Sequence, residues 1–242
     1  MGYYNDKSGV THGFLRTLGA TFTTFDPPGS KSTQPTAITP AGVIAGTYSV
    51  LVPSFVEHGF LRTRDGTFTT YDPPGSVMTE VLAINPAGAI TGDYVDAAGF
   101  HGFVRAPNGT FTAFDIPGSS EPIPIGGINP AGVVTGQACD VAPPGAYHGY
   151  VRAPDGTITK FDAPGSQYTS PFAINPAGAI TGYYNDASGG FHGFLRTLDG
   201  TITPFDVPGS TLTAAFEINP AGVIIGFFSD AGGVTHGFLF RP

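Results

Sequence analysis

The chain has 242 residues, of which only 12% are charged, and its formal net charge of −8 is carried against just ten Lys and Arg. So sparse a basic complement offers no footprint for a phosphate backbone, which excludes nucleic acid as a partner class. No run approaches 18 consecutive apolar residues, so no membrane span is expected, and the single cysteine, Cys139, leaves no intrachain disulfide and no zinc-ligand set.

The 36 Gly and 23 Pro would suit a low-complexity tract, but 20 Phe and 10 Tyr at regular spacing supply a core, so the Gly and Pro read as turn punctuation. His-Gly-Phe or His-Gly-Tyr begins at His12, His58, His101, His148, His192 and His236, at intervals of 43 to 47 residues. Pro-Gly-Ser keeps the same period from Pro28, Pro74, Pro117, Pro164 and Pro208, and Pro-Ala-Gly from Pro40, Pro86, Pro130, Pro176 and Pro220. A period of 40 to 50 without long helix-forming runs signals an all-β β-propeller, here one domain over residues 1–242.

In chain order, the N-terminus has neither a basic region nor an apolar core, so no secretory signal is expected in this chain. Residues 1–18 read as a redundant hairpin, or as the seed of a partial sixth blade. The strand Thr21 to Asp26 is expected to close a five-bladed ring by pairing with Gly237 to Phe240, six blades being the alternative. Val50 to Val56 replaces a polar loop of the other copies with an apolar one, which either folds onto the core or marks a partner surface.

The copy from Phe172 to Asp206 shows the blade most clearly. Its strands are Phe172 to Asn175, Ala179 to Tyr184, His192 to Arg196 and Thr201 to Asp206, divided by Asn175-Pro-Ala-Gly178, a bend through Gly190, and Asp199-Gly200. Both faces of His192-Gly-Phe-Leu-Arg196 carry apolar residues, so each sheet is expected to lie between neighbours. Val207 through Ala215 then links to the next sheet. Four strands per copy, with the partial ends, predict 22 strands.

Three motifs carry a family resemblance: Ala173-Ile-Asn-Pro-Ala-Gly-Ala-Ile-Thr-Gly182, His192-Gly-Phe-Leu195 and Asp206-Val-Pro-Gly209. At this period the chain resembles the HAF family of extracellular bacterial repeats over nearly its whole length. It departs from that pattern where Gly follows His and Arg follows Leu. The resemblance implies an extracellular setting for the parent protein and brings no activity, cofactor or functional residues.

Every copy repeats its His, and Asp26, Asp72, Asp115, Asp162 and Asp206 all close another strand. Such repetition points to a structural problem shared by all blades, such as satisfying backbone groups in a turn. The Arg ending His-Gly-Phe-Leu-Arg is expected to pair with carboxylates or to cover aromatic surface.

Function is expected where the repeat breaks. Glu217 stands where other copies have Ala37, Ala83, Gly127 and Ala173, and with Glu80 and Glu121, in equivalent links, it could form a carboxylate site at one rim. Gly126-Gly127 replaces the Phe172-Ala173 pair, and Gln137-Ala138-Cys139 replaces Tyr183-Tyr184-Asn185. Together they open a pocket unless the Pro-rich loop Val141 to Ala146 fills it. These seven residues, Glu217, Glu80, Glu121, Gly126, Gly127, Gln137 and Cys139, are the candidate ligand-binding set. No catalytic residue, metal site or cofactor is expected. The leading expectation is a non-enzymatic binding or scaffold module for repetitive ligands such as glycans. A carbohydrate-active hydrolase or lyase with one asymmetric rim site, and a purely structural array, are the alternatives.

Overall fold

The computed structural model describes residues 1–51, 55–141 and 145–242. Its 22 strands follow one another as antiparallel meanders, and no helix occurs among the described residues. The chain divides into two compact units, Met1–Phe114 and Asp115–Pro242.

Unit 1 opens with β1 (Gly2–Asn5), β2 (Thr11–Arg16) and β3 (Phe22–Phe25). The next meander is β4 (Ser32–Ile38), β5 (Ile44–Leu51), β6 (Phe55–Arg62) and β7 (Phe68–Tyr71), and the third is β8 (Met78–Ile84), β9 (Ile90–Val95), β10 (Phe100–Arg105) and β11 (Phe111–Phe114). Residues 1–18 carry β1 and β2. Strand β2 is the register partner of β3 and also bridges to β4 at Thr11 and Ser32.

Unit 2 forms one sheet. It comprises β12 (Ser119–Ile128), β13 (Val134–Asp140), β14 (Tyr147–Arg152) and β15 (Ile158–Phe161); then β16 (Ser166–Ile174), β17 (Ile180–Asp186), β18 (Phe191–Arg196) and β19 (Ile202–Phe205); and last β20 (Ser210–Ile218), β21 (Ile224–Asp230) and β22 (Thr235–Phe240). Single parallel bridges, Tyr147 to Tyr168 and Phe191 to Leu212, join the meanders.

The first strand of each later meander starts earlier than its apolar pattern suggests. Ser166 already pairs with Asp186, and Ser210 with Asp230, each followed by a bulge, so much of the expected link is itself strand. A second bulge, between Pro171 and Ala173, explains the repeated Gly of the second strand, because a Cβ on Gly182 would overlap the backbone oxygen of Ser170. The Gly of His-Gly-Phe is demanded from the other side, where a Cβ on Gly193 would lie 2.7 Å from the Phe205 ring.

Apolar side chains fill the space between successive meanders. Ala45 and Tyr71 pack with Val81, Ile90, Tyr94 and Phe103 in unit 1, and Ala173 packs with Ala215, Ile218 and Ile224 in unit 2. This is the two-faced burial expected of the sequence. The repeated Arg covers aromatic surface: Arg62 Cζ lies 4.9 Å from the Phe25 ring centre, Arg105 Cζ 4.6 Å from Tyr71 and Arg196 Cζ 4.8 Å from Phe161, each ring belonging to the preceding meander. Each Asn of the Asn-Pro-Ala-Gly turn caps its own turn. Asn175 Oδ1 accepts from Ala179 N at 3.0 Å, while its Nδ2 donates to Asn219 O at 3.3 Å on the next meander.

Candidate functional site

The repeated His and Asp residues form a structural clamp. His192 places Nδ1 2.9 Å from Asp206 at the end of β19 and Nε2 3.3 Å from Asp186 in the hairpin turn. His12 lies likewise between Asp26 and Asp6, and His148 between Asp162 and Asp140. His58 meets Asp72 at 2.8 Å. The strand-ending Asp residues therefore bind the imidazole rather than a turn. The turn is capped by the other carboxylate, since Asp186 Oδ1 accepts from Ser188 N and Gly190 N.

At His12 and His192, with a carboxylate at both ring nitrogens, protonation lets each nitrogen donate to its own carboxylate. The hydrogen bond to Asp26 raises His12 above the ordinary value, and at His192 the bonds to Asp206 and Asp186 outweigh an opposing effect of burial. Asp6 is lowered to about 2, chiefly by the Ser8 hydroxyl, and Asp186 well below the usual range by Ser188. The raised His groups stabilise the fold below their unfolded pKa, and that contribution is lost as pH rises through the folded value. The lowered Asp groups stabilise above about pH 4, and lose it as pH falls. Thermal melts should therefore show a higher Tm near pH 5.5 than near pH 8.5. An equal or higher Tm at the alkaline pH would remove the clamp's role in stability.

Outside the repeated His, Asp and Arg, polar and aromatic side chains gather in two places. In unit 1, Ser32 faces Ser49 across β4 and β5, Gln34 faces Thr47, and Ser49 faces Glu57 across β5 and β6. Cross-strand partners share a face, so these polar side chains line one side of the sheet. The β8 strand approaches there, with Val81 N donating to Thr47 Oγ1 at 2.9 Å. The result is a cavity of about 180 Å³ lined by Ser32, Gln34, Thr36, Thr47, Tyr48, Ser49, Glu57 and Glu80. Burial, with Glu80 as the second cause, raises the Glu57 carboxyl.

In unit 2 a chain of half-buried rings runs over the sheet. Tyr147 lies 4.9 Å from Tyr168, Tyr168 stacks on Tyr183 at 6.1 Å, and Tyr183 stacks on Phe172 at 5.3 Å. Phe172 meets Phe216 edge-on at 4.8 Å, and Phe216 stacks on Phe227 at 5.4 Å. Gln137 ties the polar end of this chain together, its Oε1 accepting from Tyr168 OH and Ser170 OH, both at 2.8 Å. The Nε2 donors of Gln137 have no acceptor among the described residues. Burial and the neighbouring Tyr168 raise the Tyr183 phenol.

The expected set thus separates. Glu80 joins the unit 1 cavity. Gln137 anchors the ring chain, and Glu121 stands opposite Cys139 beside it, with the Cys139 thiol raising the Tyr147 phenol. Gly126 and Gly127 form a bulge in which a Cβ on Gly126 would overlap Thr135 and Gly127 adopts φ +81°. The close approach accounts for Gly126, and the left-handed backbone for Gly127. Glu217 is exposed at a separate cavity of about 230 Å³ with Ile218, Asn219, Val223, Ile225 and Leu239, and the packing around its carboxyl raises its pKa.

Of the apolar loop, residues 52–54 lie outside the described residues. At its ends Leu51 and Phe55 are exposed, while Val50 packs on the core. Residues 142–144 of the Pro-rich loop also lie outside them. Glu57 and Tyr168 were missed although a signal existed. Glu57 stands where other copies carry Thr11, Phe100, Tyr147, Phe191 and Thr235, and Tyr168 where register places Ser32, Met78 and Leu212.

No family model and no curated protein matches the chain. Among solved structures it is similar to a streptogramin B lyase, with a TM-score of 0.59 and 14% identity over 100% of this chain and 83% of that one. TolB from Acinetobacter baumannii gives a TM-score of 0.63 at 12% identity, over 98% of this chain and 59% of that one. Porphyromonas gingivalis dipeptidyl peptidase 4 gives 0.61 at 11% identity, over 99% of this chain and 43% of that one. These structural neighbours are β-propellers. The chain has a β-propeller fold. At such identities the likeness concerns the fold, and these neighbours span unlike activities.

Proposed function

We propose that this propeller is a non-enzymatic glycan-binding module of an extracellular protein, holding its ligand on the ring chain of unit 2. The observation that carries the reading is the run of Tyr168, Tyr183, Phe172, Phe216 and Phe227 beside the unused Nε2 donors of Gln137. Apolar C–H faces of a sugar pack on aromatic faces, and its hydroxyl edge needs amide and hydroxyl partners of this kind. Phe172 with Tyr183 and Phe216 with Phe227 occupy matching places in successive meanders. Two like subsites side by side suit a repetitive ligand, where avidity grows without stronger individual contacts. The HAF-like motifs support the extracellular setting.

For the ring itself, the expected five-blade closure needs β3 as the outer strand beside β22. Its pairing with β2 instead favours the alternative of six blades, the first and last being three-stranded. A glycan array tests the function. Phe216→Ala and Tyr183→Ala should each weaken glycan binding about tenfold or more while the protein stays folded. Flat binding by the unaltered protein, with no hydrolysis of common polysaccharides, would leave a purely structural array.

One observation favours the second reading, a carbohydrate-active hydrolase or lyase. Glu57, raised by burial with Glu80 as the second cause, lines one cavity with Glu80, and two carboxyl groups in one cavity are the pair that acid and base roles require. Polysaccharide cleavage lost in Glu57→Gln would establish it.

A further inference from the structure

A second groove in unit 1, of about 180 Å³, lies between the first and second meanders and is lined by Leu15, Pro40, Ala41, Gly42, Arg62 and Arg64. Two guanidinium groups border it, and no carboxylate does. Neither Arg62 nor Arg64 forms a hydrogen bond or ion pair among the described residues, although the chain carries 18 Asp and Glu against ten Lys and Arg. The adjacent carboxylate, Asp65, is engaged by Thr63 Oγ1 and Thr67 N instead. Arg62 Nε is buried without a partner, the guanidinium lying 4.9 Å from the Phe25 ring centre, so its terminal nitrogens are left for a ligand.

The repeat separates what the fold needs here from what it does not. The place of Arg64 is apolar in the other copies, where Leu18, Pro107, Pro154 and Leu198 stand. The residue packs on the Gly of the Pro-Ala-Gly turn: a Cβ on Gly88 would lie 3.8 Å from Pro107, and one on Gly132 3.7 Å from Pro154. Arg64 makes the same contact with its stem, Cβ and Cγ lying 3.6 Å from the Cβ position of Gly42. The packing is complete before the guanidinium is reached. A matching groove in unit 2, of about 260 Å³, has Val151, Pro176, Ala177, Gly178 and Arg196 in the same places, with Leu198 where Arg64 stands. The second guanidinium is therefore an addition to a groove that the fold builds without it.

Two unpaired guanidinium groups on one groove repel each other, and an anion between them relieves the repulsion. The planar fork of each matches a carboxylate in a bidentate pair. A small tetrahedral anion is served less well, because its sites are built from convergent backbone N–H groups. Here Gly42 N donates to Thr39 O and Val43 N to Thr39 Oγ1, so these turn amides are spent. The remaining walls, Leu15, Pro40 and Ala41, are apolar and suit the C–H face of a ring.

We propose that this groove binds a hexuronate, its carboxylate held by Arg62 and Arg64 and the apolar face of its ring set against Leu15 and Pro40. The site lies within unit 1, shares no residue with the ring chain of unit 2 and does not rest on that assignment.

The test is a calorimetric titration of the whole chain, at constant ionic strength, with glucuronate, glucose and sulfate. Glucuronate should bind about tenfold or more tightly than glucose or sulfate, and added salt should weaken it. Arg64→Leu installs the residue of the fifth copy, so the protein should stay folded while the preference for glucuronate over glucose is lost. Arg62→Lys keeps the charge without the fork and should weaken glucuronate alone. Equal affinity for glucuronate and glucose, sulfate bound as tightly as glucuronate, or no glucuronate binding at millimolar concentration would overturn the proposal. So would an undiminished preference in Arg64→Leu, which decides the matter even where Arg62→Lys fails to fold. Phe216→Ala should leave the glucuronate preference intact, and its loss there would remove the assignment to unit 1.

Discussion

Gly182→Ala is expected to lower stability by about 3 kcal/mol, the upper end of the range for overpacking a core. The added methyl would overlap the backbone oxygen of Ser170 and also lie 2.9 Å from the Phe194 ring. A flexible side chain could move aside, but the Ser170 oxygen belongs to the bulged pair of β16 and β17 and cannot yield without breaking register. Gly189→Ala gives the comparison. That glycine is in an exposed turn with φ +85° and nothing within 4 Å of a new Cβ, so only the left-handed backbone is penalised, at about 1 to 2 kcal/mol. Urea unfolding of both variants measures the difference. Equal losses would mean that the bulge gives way and that the repeated Gly serves backbone freedom alone.

Phe194→Ala is expected to cost more, about 3 to 5 kcal/mol. The ring is fully buried between meanders, meets Phe161 at 6.2 Å nearly edge-on and packs with Ala163, Ile180 and Tyr184. The walls are strands held by neighbouring sheets, so the cavity left behind collapses little. Against a typical total of about 5 to 15 kcal/mol, such a loss removes a large part of the stability. Phe216→Ala should differ in kind. Its ring is only half-buried, so its removal should cost less in unfolding free energy while taking away glycan binding. A Phe216→Ala variant as unstable as Phe194→Ala would assign the ring chain to the core rather than to a ligand.

Most of the architecture was legible because it is written locally and repeatedly. The Asn175-Pro-Ala-Gly178 and Asp199-Gly200 turns, and the alternation of His192-Gly-Phe-Leu-Arg196, depend on residues near one another in the chain. Twenty-two strands follow from reading those signals through every copy. The reading stopped short at the first strands, where Ser166 to Thr169 and Ser210 to Thr213 have the polar composition of a link. They become strand because Asp186 and Asp230 on the next strand hold them in register.

The site was harder to read for a physical reason. Of the residues picked out as breaks in the repeat, Glu80 and Gln137 fall in the two candidate sites, but their companions were not identified with them. Gln137 meets Tyr168 and Ser170 across a gap of more than 30 residues, and Glu57 meets Glu80 from a different sheet. Gly126-Gly127, which looked like missing bulk, proved to be a bulge pressed against Thr135. The sequence by itself determined the all-β repeat, the meander within each copy and the structural nature of the repeated His, Asp and Arg, since turn chemistry and period-two patterning act over a few residues. Only the tertiary structure decided which unrepeated side chains stand together, because contacts between sheets depend on how one meander packs on the next, and no local pattern encodes that packing.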